Sequence, residues 1–119
     1  MTPFGARLRA LRAERGLSLK RMAGDLQISA AYLSALEHGH RGRPTFSLVQ
    51  QIVEYMNIIW DEADEMHRLA AISHPRVVID TAGMSPRATE LANRLARDIG
   101  GLTEARLARL LDEVRSARE

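Results

Sequence analysis

Cysteine is absent from this 119-residue chain, which removes disulfides, thiol nucleophiles and thiolate metal ligands together and fits a reducing cytoplasm. Long apolar runs are also missing. No stretch approaches the ~20 residues needed to cross a bilayer, so no membrane partner is expected. The opening Met1-Thr2-Pro3-Phe4-Gly5-Ala6-Arg7 has no apolar segment ahead of a small-residue cleavage site, so no secretory leader is expected either. There is no glycine-rich phosphate loop, no cluster of metal ligands and no serine or cysteine in a nucleophile context, which argues against an enzyme and against any cofactor. His38 and His40 have a His-x-His spacing, but His67 and His74 lie in other elements. Without a third ligand nearby a metal site is not expected.

What the chain does have is an uneven distribution of charge. The net charge is only +2, yet residues 1–44 carry eight bases against three acids, residues 45–84 two against six, and residues 85–119 seven against six. A basic front end on a nearly neutral protein suggests a polyanionic partner held at that end, the alternative being an ordinary solvated surface.

Helix signals follow one another along the front half. Thr2-Pro3 starts a helix with Phe4, Leu8 and Leu11 on one face, and Gly16 ends it. Ser18 caps a short second helix with Met22, Ala23 and Leu26 inward, and Gln27-Ile28-Ser29 makes a tight connection. Ser29 caps a third helix, Ala30 to Glu37, that buries Leu33 and Leu36. The polar loop from His38 to Pro44, with two glycines and a proline, breaks the pattern. A fourth helix near Thr45 turns Phe46, Val49, Ile52, Val53 and Met56 inward. A fifth, from about Asp61, does the same with Ala63, Met66, Leu69 and Ala70. Trp60 is expected as a core or interface anchor rather than a ligand platform.

Ser73-His74-Pro75 interrupts the helices, and Val77-Val78-Ile79 reads as an extended apolar connector. Ser85-Pro86 restarts helix with a stripe of Ala88, Leu91, Ala92, Leu95 and Ile99, ending at Gly100-Gly101. Thr103 caps a last helix with a stripe of Leu107, Leu110, Leu111 and Val114. The chain is therefore expected to be all-α, with a five-helix domain over residues 1–73, a connector over 74–84 and a helical hairpin over 85–119. Two helices cannot bury such faces alone, so the hairpin must dock on the front domain or on a second copy, and the second copy is favoured. Val77 to Ile79 could pair with the partner as a short strand.

Residues 16–39 carry a recognisable constellation: Gly16-Leu17-Ser18, Met22-Ala23, Leu26, Ile28-Ser29, Tyr32-Leu33-Ser34, Leu36-Glu37 and Gly39. It resembles the signature of the xenobiotic-response-element class of helix-turn-helix regulators, relatives of phage Cro and lambda-type repressors. The likeness runs on through Arg43-Pro44-Thr45 and Leu48 to about residue 72, leaving the hairpin outside it. Two positions depart from the pattern. Leu19 stands where a polar residue usually opens the second helix, which removes a phosphate contact. Gln27 stands where glycine is frequent, so a neighbouring backbone adjustment is expected.

The resemblance implies a lambda-repressor-like five-helix domain that places its third helix in the major groove of duplex DNA. Ala30, Ala31, Tyr32, Ser34 and Ala35 would then face the groove, with Ser29 and Tyr32 within reach of phosphates, although Tyr32 could equally fill the core edge. Alanines offer only methyl contacts to thymine, which leaves sharper reading to arginines. Arg41 and Arg43, on the glycine-rich loop, are candidates for a phosphate, the minor groove or a base edge, and His38 and His40 of the same loop are expected near phosphate rather than on a metal. Lys20, Arg21 and Arg12 are backbone clamps or solvated surface charges. Glu37 is expected in a structural role near the following loop, because a carboxylate beside phosphates is unfavourable.

The expected function is a homodimeric transcriptional regulator, more readily a repressor, on a palindromic operator, held together by the Val77–Ile79 segment and the Leu91, Leu95, Ile99, Leu107, Leu110, Leu111 and Val114 stripes. The alternative is an antitoxin-like or adaptor protein whose hairpin docks a protein partner.

Overall fold

A computed structural model describes residues 1–40 and 43–118. Among these residues the chain forms seven α-helices and no strand: α1 (Pro3–Glu14), α2 (Leu19–Leu26), α3 (Ala30–His38), α4 (Phe46–Tyr55), α5 (Trp60–Ala71), α6 (Pro86–Asp98) and α7 (Glu104–Ser116). The fold class is all-α, as the periodicity implies.

Capping explains where the helices begin. The side chains of Thr2, Ser18, Ser29, Thr45, Ser85 and Thr103 each accept a hydrogen bond from a backbone N–H in the first turn of the helix that follows. Each such cap satisfies an orphan donor and contributes about 1 kcal/mol. Helix α5 is different. Its N-cap position is Ile59, which makes no side-chain cap bond, and Trp60 opens the helix at φ +56°. Asp61 and Glu62 in the first turn oppose the positive end of the helix dipole in place of a cap.

The chain divides into two compact units, residues 1–77 and 78–119. In the first, Phe4, Leu8 and Leu11 of α1 meet Met22 and Ala23 of α2, Leu33 and Leu36 of α3, Val49, Ile52 and Val53 of α4, and Met66 and Ala70 of α5 in one buried core. Ser73 closes it. The Phe4 N–H, which the start of α1 leaves without an intrahelical partner, donates to Ser73 Oγ at 2.9 Å, and the Ser73 hydroxyl donates to the Leu69 carbonyl. Sequence reading took Ser73 only as the beginning of a break; it is a buried bridge from the end of α5 to the start of α1.

Two expectations about this core are corrected. Phe46 does not point inward: it is the first residue of α4, 74% exposed, and stacks on His67 with ring centroids 4.4 Å apart. The buried face of α4 is made by Leu48, Val49, Ile52 and Val53, and Phe46 lies at its edge in the first turn. Trp60 is not a core residue either, being 81% exposed.

The second unit consists of α6 and α7 joined by a 3-10 turn, Ile99–Gly101. Neither helix has a buried residue. Leu91, Ile99, Leu110, Leu111 and Val114 are exposed, and Leu95 and Leu107 are half-buried. Val77, Val78 and Ile79 also lie open, with Val78 at 88%. The chain there has no assigned strand, and a turn follows in which the Met84 N–H donates to the Thr81 carbonyl at 2.9 Å.

Candidate nucleic-acid interface

Helices α2 and α3 meet through a three-residue turn. Gln27 takes the left-handed conformation that closes it, at φ 60° and ψ 40°, and the Ile28 N–H donates to the Ala23 carbonyl at 3.0 Å. The adjustment expected from a neighbour thus falls on Gln27 itself, because the left-handed C-cap is fixed by the geometry of the turn. Leu19, the other departure, is half-buried against the core. An apolar side chain there adds packing where a polar one would reach outward.

Helix α3 is held from behind by α1. Gly5 allows the approach: a Cβ at that position would lie 2.4 Å from the Glu37 carbonyl oxygen and 2.7 Å from that of Leu36. On the same side Glu37, 1% exposed, receives the Arg12 guanidinium through both oxygens, Nε to Oε2 at 2.8 Å and Nη2 to Oε1 at 3.2 Å. Arg12 Nη1 also donates to the Leu17 carbonyl at 2.9 Å. Hydrogen bonding to Glu37 raises the Arg12 pKa above its usual value, against the opposing effect of burial. Two expectations change as a result. Arg12 is an internal tie rather than a clamp for phosphate, and Glu37 reaches back to α1 rather than to the following loop.

The opposite side of α3 faces outward. With residues about 100° apart around the axis, Ala30, Ala31, Ser34, Ala35 and His38 share one face while Leu33, Leu36 and Glu37 share the buried one. Ala30, Ala31 and His38 are exposed, and Ser34 and Ala35 are half-buried. Ser29 Oγ accepts the Tyr32 N–H at 3.0 Å, and Tyr32 is half-buried against the core. His38 belongs to the helix rather than to the loop, with Nδ1 2.8 Å from the Ser34 carbonyl and its ring 6.2 Å from that of His40. Gly39 ends the helix at φ 75°.

The segments before and after α3 carry exposed cations. Lys20 and Arg21 lie exposed on α2, with Arg21 Nε 3.8 Å from Asp25 of the next turn. Asp25 in turn accepts a hydrogen bond from the Tyr55 hydroxyl at 2.5 Å, which latches α2 to α4 and raises the tyrosine pKa. Arg43 is exposed and lines a cleft with Thr45, Phe46 and His67. Arg41 lies outside the described residues. Among those described, no group of three or more His, Asp or Glu is placed to hold a metal ion, and no helix is long and apolar enough to cross a membrane.

A helix held on one side by α1, led by a short helix and tight turn, and exposed on the other side is a helix-turn-helix arrangement. Residues 3–66 match a family described as "Helix-turn-helix domain". The chain belongs to that family, as its resemblance to the xenobiotic-response-element class implies. It is 38% identical over 61 residues to "HTH-type transcriptional repressor RghR" of Bacillus subtilis, covering 51% of this chain and 45% of that protein. It is 50% identical over 52 residues to "HTH-type transcriptional regulator DdrOP3" of Deinococcus deserti, covering 44% and 40% respectively. A second Bacillus subtilis protein, "Uncharacterized HTH-type transcriptional regulator RghRB", is 33% identical over 61 residues, 51% of this chain and 44% of that one. Less than half of each relative is spanned. No solved structure matches the chain.

Sequence reading missed the two contacts that fix the back of α3, at Gly5 and at Arg12–Glu37. The glycine signal was available, since an interior helix glycine is costly unless space or backbone demands it. The pairing of Arg12 with Glu37, 25 residues apart, left no local trace.

Proposed function

We propose that this protein is a sequence-specific, double-stranded-DNA-binding transcriptional regulator that acts as a homodimer and represses by occupying promoter DNA. The observation that carries this reading is α3: capped at its start, braced by Arg12–Glu37 behind, and bare on the face that holds Ala30, Ala31, Ser34, Ala35 and His38. A major groove admits such a helix. Lys20 and Arg21 on α2 and Arg43 after α3 supply cations for the phosphates that flank it, and Ser29 at the start of α3 adds a hydroxyl. Arg41 and His40, next in the chain, extend the same set. The names of the relatives support the regulatory reading, and its site of action is the nucleoid within the cytoplasm.

Dimerisation rests on the second unit. A two-helix unit with no buried residue and apolar side chains along both helices has too little core of its own. Packing these stripes, with Val77, Val78 and Ile79, on a second copy removes them from water, and a dimer so formed is expected to offer two α3 helices to the half-sites of a palindromic operator. The same exposed stripes also favour a second reading, an adaptor whose hairpin docks another protein.

Duplexes bound by the purified chain are to be selected from a random pool, the best one titrated at two salt concentrations, and the mass of the species measured in solution. A dimer on a palindrome with steep salt dependence is expected, and Leu95→Glu with Leu110→Glu should give monomers of poor operator affinity. A monomer that binds all duplexes weakly and equally refutes the regulator reading. If the doubly substituted protein remains a dimer, the hairpin is not the dimer contact.

A further inference from the structure

We propose that His38 is the specificity-determining residue of α3, and that the base it accepts changes with its state of protonation. The inference rests on the reading of α3 as the groove helix and goes beyond it by naming the residue that discriminates and the chemistry it uses.

The outward face of α3 is poor in hydrogen-bonding groups. Ala30, Ala31 and Ala35 offer methyl groups alone, which suit thymine methyls and little else. The Ser34 hydroxyl both donates and accepts, so it fits any base edge and discriminates weakly. His38 is the remaining residue on that face, one turn beyond Ser34.

Its tautomer follows from its partner. Nδ1 lies 2.8 Å from the Ser34 carbonyl oxygen, and a carbonyl only accepts, so Nδ1 carries the hydrogen. Nε2 is left for a ligand, with no hydrogen bond to it among the described residues. In the neutral ring Nε2 is an acceptor. The donors on the major-groove edge are the amino groups of cytosine and adenine, so a neutral His38 selects those bases. Protonation turns Nε2 into a donor, which suits guanine, whose N7 and O6 both accept. Histidine is the side chain whose charge change falls between about pH 5 and pH 8.

His38 closes α3. Its ring neighbour is His40, and the terminal residues Met1 and Thr2 lie against Gly39. The helices packed against α3 carry Arg7, Arg9, Arg12 and Glu14 on α1 and Lys20, Arg21 and Asp25 on α2. Glu37 is held by Arg12 and Asp25 by Tyr55.

The test selects sites from a random duplex pool at about pH 8 and about pH 5.5 with the full chain, His38→Ala, His38→Asn and His40→Ala, then titrates each best duplex and its single-base variants. For the unaltered chain, one position in each half-site should favour cytosine or adenine at the higher pH and guanine at the lower, by about tenfold. His38→Ala should level that position at both pH values. His38→Asn should retain a preference that no longer depends on pH, and His40→Ala should keep the original pattern. A His38→Ala chain that loses affinity for all duplexes by one factor, with a salt slope smaller by about one, overturns the proposal in favour of a phosphate contact. Site preferences in His38→Ala that match the unaltered chain at both pH values overturn it too. Failure of the unaltered chain to bind any duplex overturns instead the premise that α3 reads DNA.

Discussion

Gly5→Ala tests the account of how α3 is held, because it adds one methyl group where α1 and α3 touch. Two terms oppose each other. Alanine in the first turn of α1 gains at most about 1 kcal/mol in helix propensity over glycine. Against that, the new Cβ would sit 2.4 Å from the Glu37 carbonyl oxygen and 2.7 Å from the Leu36 one, well inside ordinary contact distance. These atoms belong to backbone and cannot rotate away, so α1 and α3 must separate. Overpacking of this kind costs typically 1–3 kcal/mol and occasionally more, and fixed backbone atoms argue for the upper part of that range or beyond it.

A net loss of about 2 kcal/mol is expected, equivalent to roughly 10 °C in the midpoint of the first unit, given that 1 kcal/mol moves a domain of this size by about 4–8 °C. Thermal and denaturant melts monitored by helix content would measure it. The Arg12–Glu37 pair spans the same contact, so DNA affinity should fall below what the unfolded fraction accounts for. A Gly5→Ala protein as stable as the parent would show that α1 and α3 have slack at this contact, and the argument that glycine sets their distance would be wrong.

Gly24 provides the contrast: its Cβ would meet nothing within 4 Å, so Gly24→Ala in α2 should stabilise by about 1 kcal/mol, read as a higher melting midpoint. Arg12→Ala leaves the buried Glu37 carboxylate without its cation and should cost about 3–5 kcal/mol in denaturant melts, whereas replacing both residues by apolar ones of similar volume should recover most of that loss. Tyr55→Phe removes the latch to Asp25. The tyrosine pKa is raised in the folded state, so the latch stabilises fully below the unfolded value of about 10 and is lost as pH rises through the higher folded value. The parent should therefore lose stability above about pH 10 more steeply than Tyr55→Phe does, and parallel profiles would remove the latch from the account.

Local rules carried the sequence reading furthest, and long-range contacts limited it. Serine and threonine caps fixed the starts of α1, α2, α3 and α4 because a cap bond spans three residues and needs no tertiary context. Phe46 was misplaced because helical spacing assigns a face without knowing how far along the helix its packing partner extends. Of the two readings of Trp60, core residue or interface anchor, the structure overturns the first: large aromatics are usually buried, but this one stands exposed at a helix start with φ +56°. Burial averages say nothing about that site. His38 was assigned to the loop because Gly39 and the polar residues after it mark a stop. The helix in fact runs through His38 and ends on Gly39.

That one-residue difference changes the chemistry of the candidate interface. With α3 stopped at Glu37, its outward face holds three alanines and a serine, and discrimination has to come from the arginines of the following loop. With α3 carried to His38, a ring nitrogen lies on the face itself, tied at Nδ1 to the carbonyl one turn back. The rigidity of that arrangement depends on the buried side of the same helix. Glu37, the neighbour of His38, is fixed by Arg12, and Gly5 sets how close the last turn of α3 comes to α1. Substitutions at Gly5 or Arg12 should therefore blur base preference as well as lower stability, although neither residue lies on the outward face. Selection of sites with a second-copy contact left intact, at a temperature where Arg12→Ala remains folded, separates the two effects. Unchanged base preference in that variant would mean that α3 keeps its position without the ion pair.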